Sequence, residues 1–207
     1  MKVLVATHNQ SKLKRYKKIL KAVDNVELVS LIDLGITEKV EESYSTNTEN
    51  ALHKAMIYGK LSGLITIAVD EALTANFLPD NEQPGVYARR FSPDKKELTD
   101  KEVTDVWKDI LKLYPQPGKQ FVWSFAIACC NPNNDTESFI ECVQQISYVA
   151  RYFSDIIPNG YPMSSFMSPY KNGKPYSELS QEQVEGYDAK NFEGFAESFS
   201  VWLGKQS

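Results

Sequence analysis

The sequence predicts an α/β or α+β fold on a mixed sheet, and three observations carry that prediction. Strand-like and helix-like stretches alternate as far as Leu78, two β-prone runs follow one another later in the chain, and the composition is that of an ordinary folded protein. Of 207 residues, 42% are hydrophobic and 24% charged, which suits one domain or two small lobes and excludes a disordered or fibrous chain.

The elements follow in order. Residues 2–6 read as a buried strand, and 11–23 as a helix with Leu13, Tyr16, Ile19, Leu20 and Val23 at helical spacing. Residues 26–31 read as a second strand. Thr46 and Glu49 form a T-x-x-E capping box that opens a helix running to about Ser62, stopped by Gly63. The apolar run 64–69 has the look of a central strand ending at Asp70, and 73–78 reads as a further strand before a turn-rich loop at 79–85. Helical periodicity covers 99–113, ended by Pro115, Pro117 and Gly118. The runs 121–130 and 139–150 are separated by Asn131-Pro132-Asn133-Asn134-Asp135, a hairpin-like connection within one sheet. Residues 151–174 read as irregular loops, and 191–203 as a closing helix with Phe192, Phe195, Phe199 and Trp202 near one face.

Charge and cysteine content narrow the function classes. The net charge of −4 offers no bulk attraction to nucleic acid or acidic membranes, so a polyanion must find a local group of cations. Three cysteines without metal-type spacing and two histidines argue against a zinc site or a disulfide scaffold. No apolar run reaches the roughly 18 residues that span a bilayer, and residues 3–6 are too short for a secretory signal, so a soluble cytoplasmic protein is expected.

Two groups of residues could carry chemistry. Thr7-His8-Asn9-Gln10-Ser11-Lys12 joins the first strand to the first helix, where backbone N–H groups and Lys12 can hold a phosphate. Lys12 at a helix start opposes the macrodipole unless an anion sits beside it. The competing reading makes Asn9 or Ser11 a plain N-cap and Lys12 a solvated lysine. The second group is acidic: Glu41-Glu42 before the second helix, and Asp70-Glu71 after the central strand. Carboxylates so placed can hold magnesium, and α/β sheets bind ligands at the carboxyl ends of their strands. Solvated acidic pairs are the alternative. Lys54 shares a helix stripe with Asn47 and Asn50 and could reach a phosphate or be an ordinary surface lysine.

Taken together, residues 6–12, Glu41-Glu42, Glu49-Asn50-Ala51-Leu52-His53-Lys54-Ala55, Asp70 with Leu73, and residues 84–91 ending Ala88-Arg89-Arg90-Phe91 resemble the inosine triphosphate pyrophosphatase family. They are similar to its T-x-N-x-x-K turn, E-E-T-G segment, E-N-A-x-x-K-A helix and D-S-G-L strand. The resemblance implies an elongated two-lobed fold around a long mixed sheet, one pyrophosphatase-like domain over residues 1–207 with a central cleft, and a homodimer. It also implies magnesium-dependent hydrolysis of a noncanonical or modified nucleoside triphosphate to the monophosphate and pyrophosphate. Thr7, Asn9, Lys12 and Lys54 would hold the triphosphate, Glu42 and Asp70 the magnesium, and Asp70 would be the catalytic carboxylate. No nucleic acid or membrane partner is implied.

The second half departs from the family pattern. Its G-F-G-[YW]-D-P loop is matched at best by residues 160–166, with Ser164 for the aspartate and Tyr161 left to stack on a base or to pack as a loop aromatic. The family's lysine falls on Val184, and its S-H-R triplet on Asp188-Ala189-Lys190, with Lys190 as one cationic contact. Glu71 and Ala72 replace the Ser and Gly of D-S-G-L. The departures leave two other readings open: a nucleotide-binding or interaction protein without turnover, and a pyrophosphatase for a pyrimidine or chemically modified nucleotide.

Overall fold

The computed structural model describes residues 1–88, 91 and 96–206, with the side chains of residues 11 and 135–137 outside that description. Arg89 and Arg90 of the family-like segment therefore lie outside the described residues. The chain is mixed α/β, and among the described residues six strands form one sheet in the order β2 (Glu27–Ser30), β1 (Lys2–Val5), β3 (Ile65–Ala75), β4 (Gln120–Asn131), β5 (Asn134–Val149), β6 (Met167–Ser168). It divides into two compact units, Met1–Glu71 with Ser124–Val143 and Asp188–Ser207, and Ala72–Trp123 with Gln144–Tyr187.

In the first unit, β1 (Lys2–Val5) runs parallel to β2 (Glu27–Ser30) and to β3 (Ile65–Ala75), with Val5 opposite Ser30 and Ile67. Helix α1 (Gln10–Ile19) stops before the expected Val23 because the chain must turn back into β2. The bonds tighten to Lys21 N–H on Lys18 O and Val23 N–H on Leu20 O, and Asn25 takes φ 60°. Helix α2 (Asn47–Ser62) keeps its predicted ends. The Thr46 hydroxyl accepts from the Glu49 N–H and donates to the Glu49 carboxylate, and Gly63 closes the helix at φ 67°, where a side chain would be strained. Ala51, Ala55 and Tyr58 of α2 pack with Leu4, Ala6, Ala68, Ala126 and Ala128 in one buried cluster. Small residues dominate it, so helix and sheet approach closely.

The strand expected at 64–69 runs on as far as Ala75 in one strand, β3, and residues 76–78 of the second expected strand instead form a turn, with Leu78 N–H on Ala75 O. The acidic pair Asp70-Glu71 suggests a break in the sequence. Alternation nevertheless continues, with Leu73 and Ala75 buried and Thr74 exposed between them. Strands β4 (Gln120–Asn131) and β5 (Asn134–Val149) follow as expected, with a connection tighter than the five residues predicted.

The second unit has an aromatic core in which Trp107 of α3 (Asp100–Leu113), Phe121 and Phe166 are fully buried. Thr99 and Glu102 form a reciprocal capping box for α3. Within 151–174 there are only a short 3-10 turn at Pro162–Ser165 and the two-residue β6 (Met167–Ser168), antiparallel to β5. The last helix, α4 (Gln181–Gly204), begins ten residues before the expected 191. Its start is a second capping box: the Ser180 hydroxyl accepts from the Gln183 N–H at 3.2 Å, and the Gln183 side chain accepts from the Ser180 N–H at 3.0 Å.

Candidate active site

The geometry of β3 decides where its two acids point. Successive strand residues face opposite sides of the sheet. Asp70 shares the side of Ala68, which packs with α2, and Glu71 takes the other side and meets α1. Asp70 does not lie at the end of its strand, as expected, but in its interior. Its parallel neighbour β1 ends instead: Val5 pairs with Ile67, Ala6 N–H donates to Ile67 O at 2.8 Å, and the chain then turns into α1. The carboxyl edge of the parallel pair is thus still where Asp70 stands.

On the α2 side, Lys54 is the centre. Its ammonium donates to Glu42 Oε1 at 2.7 Å, to the Val69 carbonyl at 2.8 Å and to Asp70 Oδ1 at 2.9 Å. Asn50, one turn earlier, donates from Nδ2 to Asp70 Oδ2 at 3.3 Å. Asn50, Lys54 and Asp70 are 1%, 8% and 7% exposed, so Lys54 is not a surface lysine. Asn50 also holds the loop before α2, accepting from Tyr44 N–H at 3.1 Å and donating to Tyr44 O at 3.2 Å. The Tyr58 hydroxyl binds Glu38 O and Val40 N–H, and His8 Nε2 lies 3.3 Å from Glu38 O. These contacts fix the segment that presents Glu42.

One ammonium serving two carboxylates explains the two titration directions. Burial opposes the charge on Lys54, but Asp70 and Glu42 together outweigh it and hold its pKa above the ordinary lysine range. Burial pushes the Asp70 carboxyl up, Lys54 pulls it back, and the charge of Glu42 adds to the rise, so Asp70 sits above the ordinary range.

On the α1 side, the Asn9 N–H donates to the Thr7 hydroxyl at 3.0 Å, and the Asn9 side chain accepts from the Lys12 N–H at 3.3 Å. Asn9 is therefore the N-cap of α1. The anion that Lys12 needs beside it is the protein's own: Lys12 Nζ lies 2.9 Å from Glu71 Oε1. Burial raises the Glu71 pKa, but Lys12, with Arg15 and Lys54 beyond it, holds the carboxyl below the ordinary range. Arg15 lies between the Phe125 and Phe192 rings, 4.8 Å from each, and donates to Asp188 at 2.8 Å.

The structure thus brings Glu42, Lys54 and Asp70 into one network and Thr7, Asn9 and Lys12 into one turn. Lys190 is exposed on α4. Tyr161 belongs to the other unit, where it precedes the 3-10 turn and its N–H donates to Pro158 O. The sequence reading singled out neither the Asn50 contact to Asp70 nor the Arg15–Asp188 pair. Asn50 was open to inference, since a polar residue one turn from Lys54 and flanked by Ala51 and Ala55 faces the sheet. Arg15 was not, because its partner is 173 residues away.

The model of the Ham1 family matches residues 3–188. A dITP/XTP pyrophosphatase of Mannheimia succiniciproducens is 31% identical over 187 residues, which cover 89% of this chain and 88% of that protein. One from Thermoanaerobacter pseudethanolicus is 40% identical over 113 residues, and the chain spans about half of that relative's length, 53%. Among solved structures, a HAM1 protein from Coxiella burnetii is similar with a TM-score of 0.77 at 23% identity over 99% of each chain, a likeness of fold. The nucleoside-triphosphatase / dITP/XTP pyrophosphatase of Mycobacterium abscessus gives a TM-score of 0.69 at 28% identity, covering 95% of this chain and 97% of that one. A match that begins in β1 and reaches Asp188, with a relative aligned over most of both chains, means that this chain belongs to the Ham1 family, the inosine triphosphate pyrophosphatase family that its motifs resemble.

Proposed function

We propose that this chain is a nucleoside triphosphate pyrophosphatase that hydrolyses a noncanonical or modified NTP or dNTP to the monophosphate and pyrophosphate. The observation that carries the reading is the buried Lys54 network, in which Asp70 has two side-chain donors and lies at the carboxyl edge of a parallel strand pair. Relatives named dITP/XTP pyrophosphatase support the activity and a purine substrate.

In this reading the Asn9-capped turn and Lys12 take one part of the triphosphate, and Lys54 another, each lysine exchanging a carboxylate for a phosphate oxygen. Asp70 orients the attacking water and accepts its proton. Phosphoryl chemistry asks for alignment and neutralised charge more than for covalent catalysis, and these side chains supply both.

Magnesium belongs to the proposal, held by Glu42 and Asp70. The donor set fits: magnesium binds through one or two carboxylates and keeps its other positions for water and substrate phosphate. Among the described residues there is no group of three or more His, Cys, Asp or Glu side chains that could hold a metal, so a ready-made cage is not what these residues offer. When bound, the ion neutralises charge on the pyrophosphate leaving group. Tyr161 stacking on the base, Lys190 as a cationic contact, one domain over residues 1–207, a homodimer and a cytoplasmic location complete the reading. Among the described residues no helix is long and apolar enough to cross a membrane.

The test is pyrophosphate release from a panel of standard, deaminated and modified NTPs with magnesium; no release from any of them overturns the proposal. A second reading, nucleotide binding without turnover, rests on the departures at Ser164 and Asp188-Ala189-Lys190 together with Glu71, and calorimetry showing a bound, unhydrolysed nucleotide would establish it.

A further inference from the structure

Glu71 departs from the family pattern, and the structure gives it a definite partner. It faces α1 from β3, its carboxylate lies 2.9 Å from the Lys12 ammonium, and the two side chains are 19% and 27% exposed. The pair is neither deeply buried nor freely solvated, which is the regime in which a counter-ion can be exchanged. Lys12 opens α1, whose first turn has no acidic residue, so Glu71 also answers the positive end of the helix. Asn9 caps the same end. A carboxylate beside a lysine at a helix N-terminus occupies the chemistry that a phosphate oxygen would use.

We infer that Glu71 is an internal competitor for the phosphate subsite of Lys12, an affinity-determining residue that an incoming polyphosphate must displace from the ammonium. The inference rests on the phosphate role proposed for Lys12. Its consequence is a common penalty. A ligand can take Lys12 only in the fraction of molecules in which Glu71 has let it go, so Glu71 weakens every phosphate ligand of this lysine by the same factor. Serine, the family residue at this position, would leave Lys12 open.

The experiment uses the full chain and inorganic tripolyphosphate, with phosphate as the small competitor, titrated by calorimetry at fixed ionic strength. The variants are Glu71→Gln, which keeps the shape, Glu71→Ser, Lys12→Ala, and Lys12→Ala combined with each Glu71 change. Glu71→Gln and Glu71→Ser should both bind tripolyphosphate at least about fivefold more tightly than the parent. That gain should vanish in the Lys12→Ala background. Phosphate should bind measurably to Glu71→Gln before it does to the parent. Binding to Glu71→Gln that is unchanged, weaker or absent overturns the inference, as does a gain that survives removal of Lys12. Circular dichroism confirms that each variant is folded. Failure of the pyrophosphatase reading would appear separately, as tripolyphosphate binding that obeys these rules in a chain that releases no pyrophosphate from nucleotides.

Discussion

Removing either end of the Asp70–Lys54 bond should have unequal effects, and the structure gives the sizes. In Asp70→Asn, Lys54 keeps Glu42 at 2.7 Å and the Val69 carbonyl at 2.8 Å, and the new amide oxygen can still accept from it. One contact turns bad: the amide nitrogen faces Asn50 Nδ2, donor against donor, and Asn50 cannot flip without losing both bonds to Tyr44. That conflict costs about 1 kcal/mol. Relief of burying a charge, and of the repulsion from Glu42, offsets part of it. The expected net loss is no more than about 1.5 kcal/mol. Lys54→Met is different. It strips the donor from two carboxylates and a carbonyl, a class of change that costs about 3–5 kcal/mol when all partners are buried. Because the Glu42 side chain is 36% exposed and can hydrate, the lower end, about 3 kcal/mol, is expected. Urea unfolding followed by fluorescence of Trp107, Trp123 and Trp202 measures both. Turnover should fall in Asp70→Asn by about 10²- to 10⁴-fold, the usual worth of a positioned base. A destabilisation by Asp70→Asn equal to that of Lys54→Met would refute the shared-ammonium account. Unchanged pyrophosphate release in Asp70→Asn would refute the catalytic assignment.

Glu71 titrates below its ordinary range, so its contribution to stability is present above the unfolded glutamate value, about 4.3, and is lost as the pH falls through the lower folded one. Glu71→Gln should accordingly unfold more easily than the parent at pH 7, with the gap closing on acidification; denaturant melts from pH 7 to pH 3 check this, and a constant gap would count against the Lys12 pairing. Gly173→Ala should destabilise the second unit by about 1–3 kcal/mol, because the added methyl would run into the buried Ser168 hydroxyl and lie 3.0 Å from the Tyr170 carbonyl. A melt indistinguishable from the parent would show that this close approach relaxes freely. Ser180→Ala should cost about 1 kcal/mol by uncapping α4, measured by thermal circular dichroism, and should leave pyrophosphate release unchanged.

Local signals were legible where the physics is local. Thr46 and Gly63 marked both ends of α2, and the polar turn after β1 marked the start of α1, because capping and φ preference act within a few residues. The start of α4 was equally local, but its Ser180–Gln183 box lies in a polar stretch without apolar periodicity and is easily passed over. The unbroken course of β3 was hidden for a different reason. Two adjacent acids resemble a turn unless each has a cation, and those cations come from two helices on opposite sides of the strand. Lys54 likewise resembles a surface lysine until its partners are in view. Pairing across the fold, unlike capping, leaves no mark at the position itself.

The adjacency of Asp70 and Glu71 ties the chemistry to the net charge of the chain. Strand geometry sends the two carboxylates to opposite sides, so each must be neutralised separately, Asp70 by Lys54 and Glu71 by Lys12. Glu42 then shares Lys54, and the two lysines face three carboxylates. The balance is one net negative charge at a place proposed to receive a triphosphate, which repels the substrate until a cation intervenes. A chelator should therefore abolish pyrophosphate release, and magnesium should restore it. In Glu71→Gln the balance is neutral before any ion binds. Tripolyphosphate should then bind that variant in the presence of chelator more tightly than it binds the parent, and equal affinity in chelator would show that the local charge count does not govern substrate entry.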